Sequence, residues 1–142
     1  MISYEDTGIC IASFHPKGYD RLVQTELVGL GSEMVTTRQQ ALEIASKARE
    51  TLEGIYRGRL RGVYLYGSAA RDELTADSDI DIAVVLDDIP SRFAEHERTS
   101  QLAADLSLEY DTVVTFLFVS EADLADGTFL VYRTIKREGI LA

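Results

Sequence analysis

The order of its elements predicts a small mixed α/β (α+β) fold, a sheet of few strands flanked by helices. Three observations predict it. Apolar residues recur at helical spacing across residues 37–58, three strand-length runs of β-formers follow at residues 63–66, 80–86 and 112–119, and two more helical stretches separate and follow the last two. The order is helix, strand, turn, strand, helix, strand, helix. A chain of 142 residues with 46% apolar and 27% charged residues is long enough for one domain with a real core.

Each element has its own local cause. Thr37 and Gln40 can form a capping box, and Leu42, Ala45, Ala48, Leu52 and Ile55 then recur on one helical face, with Gly58 as the expected stop. Residues 63–66 form a short β-rich run ended by Gly67. Residues 80–86 form the second strand, closed by Asp87, Asp88 and Pro90. Ser91 can cap a helix reaching about Glu109, with Phe93, Ala103 and Leu106 on its inner face. Residues 112–119 make the third strand. Ser120 and Asp123 form another capping pair, and residues 129–138 read as a last helix ended by Gly139.

Residues 1–33 follow no sustained period. They hold the turn-prone His15-Pro16-Lys17-Gly18 and the glycines Gly29 and Gly31, and read as an extension with one helix around residues 20–30. The domain itself is expected over residues 34–142, and Met34 stands where translation could also begin.

Charge narrows the partners. With 24 acidic against 14 basic residues the net charge is −10, and no Lys/Arg run offsets it locally. Such a surface repels a nucleic-acid backbone, so an anionic ligand needs metal ions or a well-placed local donor. No apolar run is long enough to span a bilayer, and the acidic start MISYEDTG lacks the features of a signal peptide. One cysteine, Cys10, excludes an internal disulfide, and the expected location is the cytoplasm.

The chemistry concentrates in GSAARDELTADSDID, residues 67–81. Asp79 and Asp81 sit two apart at the start of a strand, so their carboxylates share one face while Ile80 and Ile82 point into the core. Two like charges held so close call for a cation, and hard Mg²⁺ bound by one or two carboxylates plus substrate phosphates is the natural occupant. An acidic pair alone more often marks a solvated strand end. Gly67 and Ser68 alter that balance: glycine lets backbone N–H groups approach a phosphate, and the serine hydroxyl can donate to one. A short helix starting at Ser68 would add partial positive charge, and Arg71 a fixed one.

Ser68, ten intervening residues and then Asp79-Ile80-Asp81 give the pattern G-S-x10-D-x-D. In this strand-turn-strand setting the chain resembles the nucleotidyltransferase superfamily related to DNA polymerase β, in its minimal single-domain form. Ala70-Arg71, Ser78 and the closing YRTIKREG also match common neighbours, so the resemblance runs from about Val35 to Leu141. It implies Mg²⁺ dependence and transfer of a nucleoside monophosphate, AMP from ATP or another from its triphosphate. Members of the minimal class are often antitoxins paired with helical HEPN-type toxins, and some adenylylate a toxin tyrosine. Where relatives carry glycine after the arginine this chain has Asp72, a residue that tolerates left-handed backbone. Active relatives use a third carboxylate from the next strand. Here Asp111 stands at that strand's start as metal ligand or base if it shares a face with Val113 and Thr115, or else as a plain turn residue; Glu109 is the second choice.

The expected function is therefore Mg²⁺-dependent nucleotidyl transfer, with Asp79, Asp81 and Asp111 catalytic and metal-holding and with Gly67, Ser68 and Arg71 on the phosphates. The expected acceptor is a protein hydroxyl on a partner, and an incomplete site favours association, including homo-oligomers. The alternative is a nucleotide-binding antitoxin that acts by stoichiometric masking; a small-molecule acceptor such as an aminoglycoside ranks third. His15, His96 and Cys10 read as solvent-exposed or inert, and Tyr64 and Tyr66 as packing residues with one of them near the nucleotide.

Overall fold

In the computed structural model, residues 34–142 are described. The reading of residues 20–30 as a helix, and of Met34 as a start, falls on or borders residues outside that range. Helix α1 spans Arg38–Tyr56, and its capping box forms as the sequence requires. Thr37 Oγ1 accepts from the Gln40 N–H at 3.1 Å, and Gln40 Oε1 accepts from the Thr37 N–H at 3.1 Å. The helix does not run to Gly58. Arg57 leaves it at φ 52°, and a 3-10 turn over Arg57–Arg59 leads into strand β1, Leu60–Tyr66.

Strand β2 spans Ile80–Leu86, and helix α2 spans Arg92–Tyr110 with Ser91 capping the Ala94 N–H. Strand β3 covers Val114–Ser120 and leads directly into the short helix α3, Glu121–Asp126. Helix α4, Leu130–Glu138, follows, and Ile140–Leu141 adds a two-residue strand β4 that the sequence reading lacked. Two residues carry no period to detect.

The four strands lie in the order β3-β2-β1-β4. β1 runs antiparallel to β2 and to β4, whereas β2 and β3 are parallel, joined by the α2 crossover. This is the mixed sheet the sequence predicted. One face carries Val63, Leu65, Ile80, Ile82, Val84, Leu86, Val114, Phe116 and Phe118, packed against Ala41, Ile44, Ala45, Ala48 and Leu52 of α1 and Leu106 of α2. Phe93 does not join this core: it is 73% exposed, on the outer side of the first turn of α2.

The opposite face is covered unevenly. Val85, Val119 and Tyr132 are buried there, with Tyr64, Leu117, Leu124 and Val131 around them. That cover lies toward the C-terminal ends of β2 and β3. At the other end of the same face, Tyr66, Asp81 and Thr115 are only half-buried. The open end of the sheet is where the β1–β2 connection begins and ends.

Candidate active site

The antiparallel register pairs Tyr66 with Asp81, and the parallel register pairs Asp81 with Thr115. Directly paired residues point to the same face, so one phenol, one carboxylate and one hydroxyl stand in a row across three strands. Asp79 lies one residue before β2, exposed, and Ile80 anchors the strand through its N–H to the Val113 carbonyl at 2.8 Å. Ile80 and Ile82 are fully buried on the other face, as strand alternation requires.

Gly67 closes β1 at φ 74°, and the chain then coils through consecutive turns rather than a helix. The Ala70 and Arg71 N–H groups both donate to the Gly67 carbonyl, at 3.1 and 3.2 Å, and the Glu73 N–H donates to the Ser68 carbonyl at 2.9 Å. The expected short helix at Ser68 is thus absent among the described residues. The N–H groups of residues 70–73 are engaged inside the turn, so its anion-binding capacity rests on the Ser68 and Ala69 N–H groups and the serine hydroxyl, not on a helix dipole. Asp72 adopts φ 62°, the left-handed backbone its place in the turn demands. The Ser68 hydroxyl makes no hydrogen bond among the described residues, which leaves it available to a ligand.

Asp81 is held from two sides. The Thr115 hydroxyl donates to its Oδ1 at 2.9 Å. Its Oδ2 faces the bare Cα of Gly67, where a side-chain carbon would lie 2.6 Å away. Burial pushes the Asp81 carboxyl above its usual range; the Thr115 hydrogen bond and the Arg71 charge pull it down, and the Asp79 charge pushes it up. The Tyr66 phenol is pushed up to about 12, by burial first and then by the Asp81 charge.

Arg71 is exposed and does not stand free to meet a ligand. It pairs with Glu73 at 2.9 Å and with Glu138 of α4 at 3.4 Å. Exposed pairs of this kind are worth only about 0–1 kcal/mol, so a phosphate could displace either carboxylate. Asp111 is the C-cap of α2 at φ 51°, with its N–H donating to the Ser107 carbonyl. In the strand that follows, the residue beside Asp81 is Thr115. Among the described residues no three His, Cys, Asp or Glu side chains form a group that could hold a metal ion. Gly67 thus meets Asp81, with Ser68 and Asp79 next to them along the chain, Arg71 lies at their rim under acidic restraint, and Asp111 stands at the end of α2. Thr115 and Glu138 are the residues that sequence reasoning missed. The signal for Thr115 is its position at the start of the strand that follows α2, which a parallel pairing of the two strands sets beside the D-x-D.

The donor set suits a hard divalent cation. Mg²⁺ takes one or two carboxylates from protein and completes its octahedron with water and substrate phosphates. The missing Cβ at Gly67 lets Asp81 Oδ2 approach the turn, into space that a side chain there would fill.

A sheet with this topology and a G-S turn facing a D-x-D strand defines a nucleotidyltransferase fold. The profile of the family described as "Polymerase beta, Nucleotidyltransferase" matches residues 39–138, and the chain belongs to that family. Two Methanocaldococcus jannaschii proteins, both provisionally named protein adenylyltransferases, are similar to parts of it. One is 26% identical over 76 residues, covering 54% of this chain and 76% of its own length. The other is 36% identical over 70 residues, covering 49% of this chain and 64% of its own length. A solved Sulfolobus solfataricus structure, provisionally named a nucleotidyltransferase, shares the fold at TM-score 0.54 and 22% identity, covering 80% of this chain and 89% of that one. A toxin–antitoxin structure with AMP-PNP shares it at TM-score 0.50 and 24% identity, over 67% and 69% of the two chains. Among the described residues no helix is long and apolar enough to cross a membrane.

Proposed function

We propose that the chain transfers AMP from ATP to a hydroxyl group on a partner protein, in a Mg²⁺-dependent reaction. The observation that carries this reading is the meeting of the Gly67–Ser68 turn with Asp79 and Asp81 at adjacent strand ends, with Asp81 Oδ2 turned toward that turn. Asp79 and Asp81 would hold Mg²⁺, which when bound neutralises phosphate charge and polarises the reacting oxygens. The Ser68 and Ala69 N–H groups and the Ser68 hydroxyl receive the triphosphate, and Arg71 exchanges Glu73 or Glu138 for a phosphate oxygen. The acceptor oxygen bonds to the α-phosphorus, the bond to the bridging oxygen breaks, pyrophosphate leaves, and the hydroxyl proton passes to solvent. The site's contribution is positioning and charge neutralisation.

A protein acceptor is supported by the names of the two M. jannaschii relatives, and by the −10 net charge, which disfavours RNA. The fold shared with a toxin–antitoxin structure supports the role of antitoxin; the resemblance to the minimal class adds a HEPN-type toxin as partner and its tyrosine as acceptor. Incubation with α-³²P-ATP, Mg²⁺ and such a partner tests this. Label on the partner, lost in the Asp79→Asn/Asp81→Asn double variant, is expected; equal labelling by that variant would contradict it.

A second reading is favoured by one specific observation, Thr115 standing beside Asp81 where a third carboxylate would complete the site. On that reading the chain binds ATP and masks its partner with little turnover. Stoichiometric ATP binding without label transfer, together with partner neutralisation undiminished in the double variant, would decide for it.

A further inference from the structure

We propose that Thr115 is a positioning residue that fixes which oxygen of Asp81 faces the ligand, an inference that rests on the metal-site reading above. Three observations combine. Parallel pairing sets Thr115 directly beside Asp81, so both side chains leave the sheet on one face. The Thr115 hydroxyl donates to Oδ1 at 2.9 Å. Gly67 walls the other side, with Oδ2 so close that a Cβ there would meet it at 2.6 Å.

The physical consequence is a locked carboxylate. The terminal torsion of aspartate is broad and nearly two-fold, so an unrestrained Asp81 would sample many ring-like orientations of its two oxygens. Threonine is the apt partner because branching at Cβ stiffens its χ1, and a hydroxyl on a strand between paired neighbours has little freedom. With Oδ1 occupied by Thr115, Oδ2 is the oxygen left pointing at the Gly67–Ser68 turn. Partners of this kind, which orient a metal-holding carboxylate without touching the metal, affect metal affinity by about 10–100-fold when removed. The same placement puts a hydrogen-bond donor, not another negative charge, on the third flank of Asp81.

The test uses Mn²⁺ alone as a probe, with free Mn²⁺ followed by electron paramagnetic resonance in titrations of the full chain. The Asp81 site is read as the difference between wild type and Asp81→Asn. Thr115→Val keeps shape and removes the hydroxyl, and is expected to weaken that site about tenfold or more. Thr115→Ser restores the hydroxyl and is expected to stay within about threefold of wild type, a rescue that a purely packing role would not give. Thr115→Ala, which only removes atoms, gives the same comparison should the valine methyl disturb the strand, and unchanged melting temperatures verify that each variant folds. Equal Mn²⁺ affinity in Thr115→Val, Thr115→Ala and wild type, with Asp81→Asn still silent, overturns the positioning role alone. So does a Thr115→Ser variant no better than valine. Identical titrations of wild type and Asp81→Asn overturn the metal-site reading itself.

Discussion

At the scale of single residues, the candidate site rests on two positions above all. Gly67 is the first. Its φ of 74° disfavours any side chain, and a Cβ would collide with Asp81 Oδ2. Gly67→Ala is expected to lower unfolding free energy by about 1–2 kcal/mol in urea titrations, from the left-handed backbone alone, and to weaken Mn²⁺ binding through the displaced carboxylate. Asp81 is the second. Its carboxyl is raised above 3.8 mainly by burial, so the folded protein holds that proton more tightly than the unfolded chain does. The sign follows: the contribution to stability is full below the unfolded value of 3.8 and is lost as pH rises through the higher folded value. At neutral pH an ionised Asp81 is a cost to the fold. Asp81→Asn in metal-free buffer is therefore expected to melt above wild type at pH 7, with the difference shrinking toward zero near pH 3, while Mn²⁺ binding is lost. A lower melting temperature for the variant at pH 7 would show that burial is not what perturbs this group.

At the scale of elements, short-range signals were legible and long-range ones were not. The capping box at Thr37, the cap at Ser91 and the boundaries of Ile80–Leu86 follow from neighbouring residues, and the structure agrees with each. The stop of α1 did not follow. Gly58 was the natural choice, yet Arg57 takes the positive φ, and the 3-10 turn that follows ends at Arg59, which reaches across to Asp87, the Asp88 carbonyl and Glu95. Phe93 was misread for a related reason: periodicity counts apolar residues but not which face the first turn presents. Glu95, not Phe93, is buried there, 3% exposed, receiving hydrogen bonds from Tyr56 at 2.8 Å and Arg98 at 2.6 Å. This network fastens the end of α1 to α2, and burial together with Glu95 raises the Tyr56 phenol far above its ordinary value. Glu95→Ala is expected to cost about 1–3 kcal/mol, since it strands the buried Tyr56 phenol, and Tyr56→Phe about 1–2 kcal/mol, both read from chemical denaturation.

At the scale of the whole molecule, one sheet face builds the core and the other keeps a working end open. Phe118 is fully buried in that core and meets Tyr56, Phe116 and the edge of exposed His96. Phe118→Ala is expected to cost about 3–5 kcal/mol, a large share of the stability of a domain this size. The fold class was legible in the alternation and spacing of apolar residues, and the G-S and D-x-D parts of the candidate site in the spacing within one segment. Thr115 and the Arg71–Glu138 pair were not, because they depend on strand register and on a helix at the other end of the chain. Asp111 is the C-cap of α2 in left-handed backbone, ahead of the strand, a place that spacing alone does not assign. The measurement that tests the central claim most directly is Mg²⁺-dependent binding of a fluorescent ATP analogue to the full chain. Wild type is expected to bind only with Mg²⁺ present, and the Asp79→Asn/Asp81→Asn variant to lose about tenfold or more in affinity while remaining folded. Binding by that variant as tight as wild type, or binding by wild type indifferent to Mg²⁺, would contradict a metal-and-phosphate site between Gly67 and Asp81.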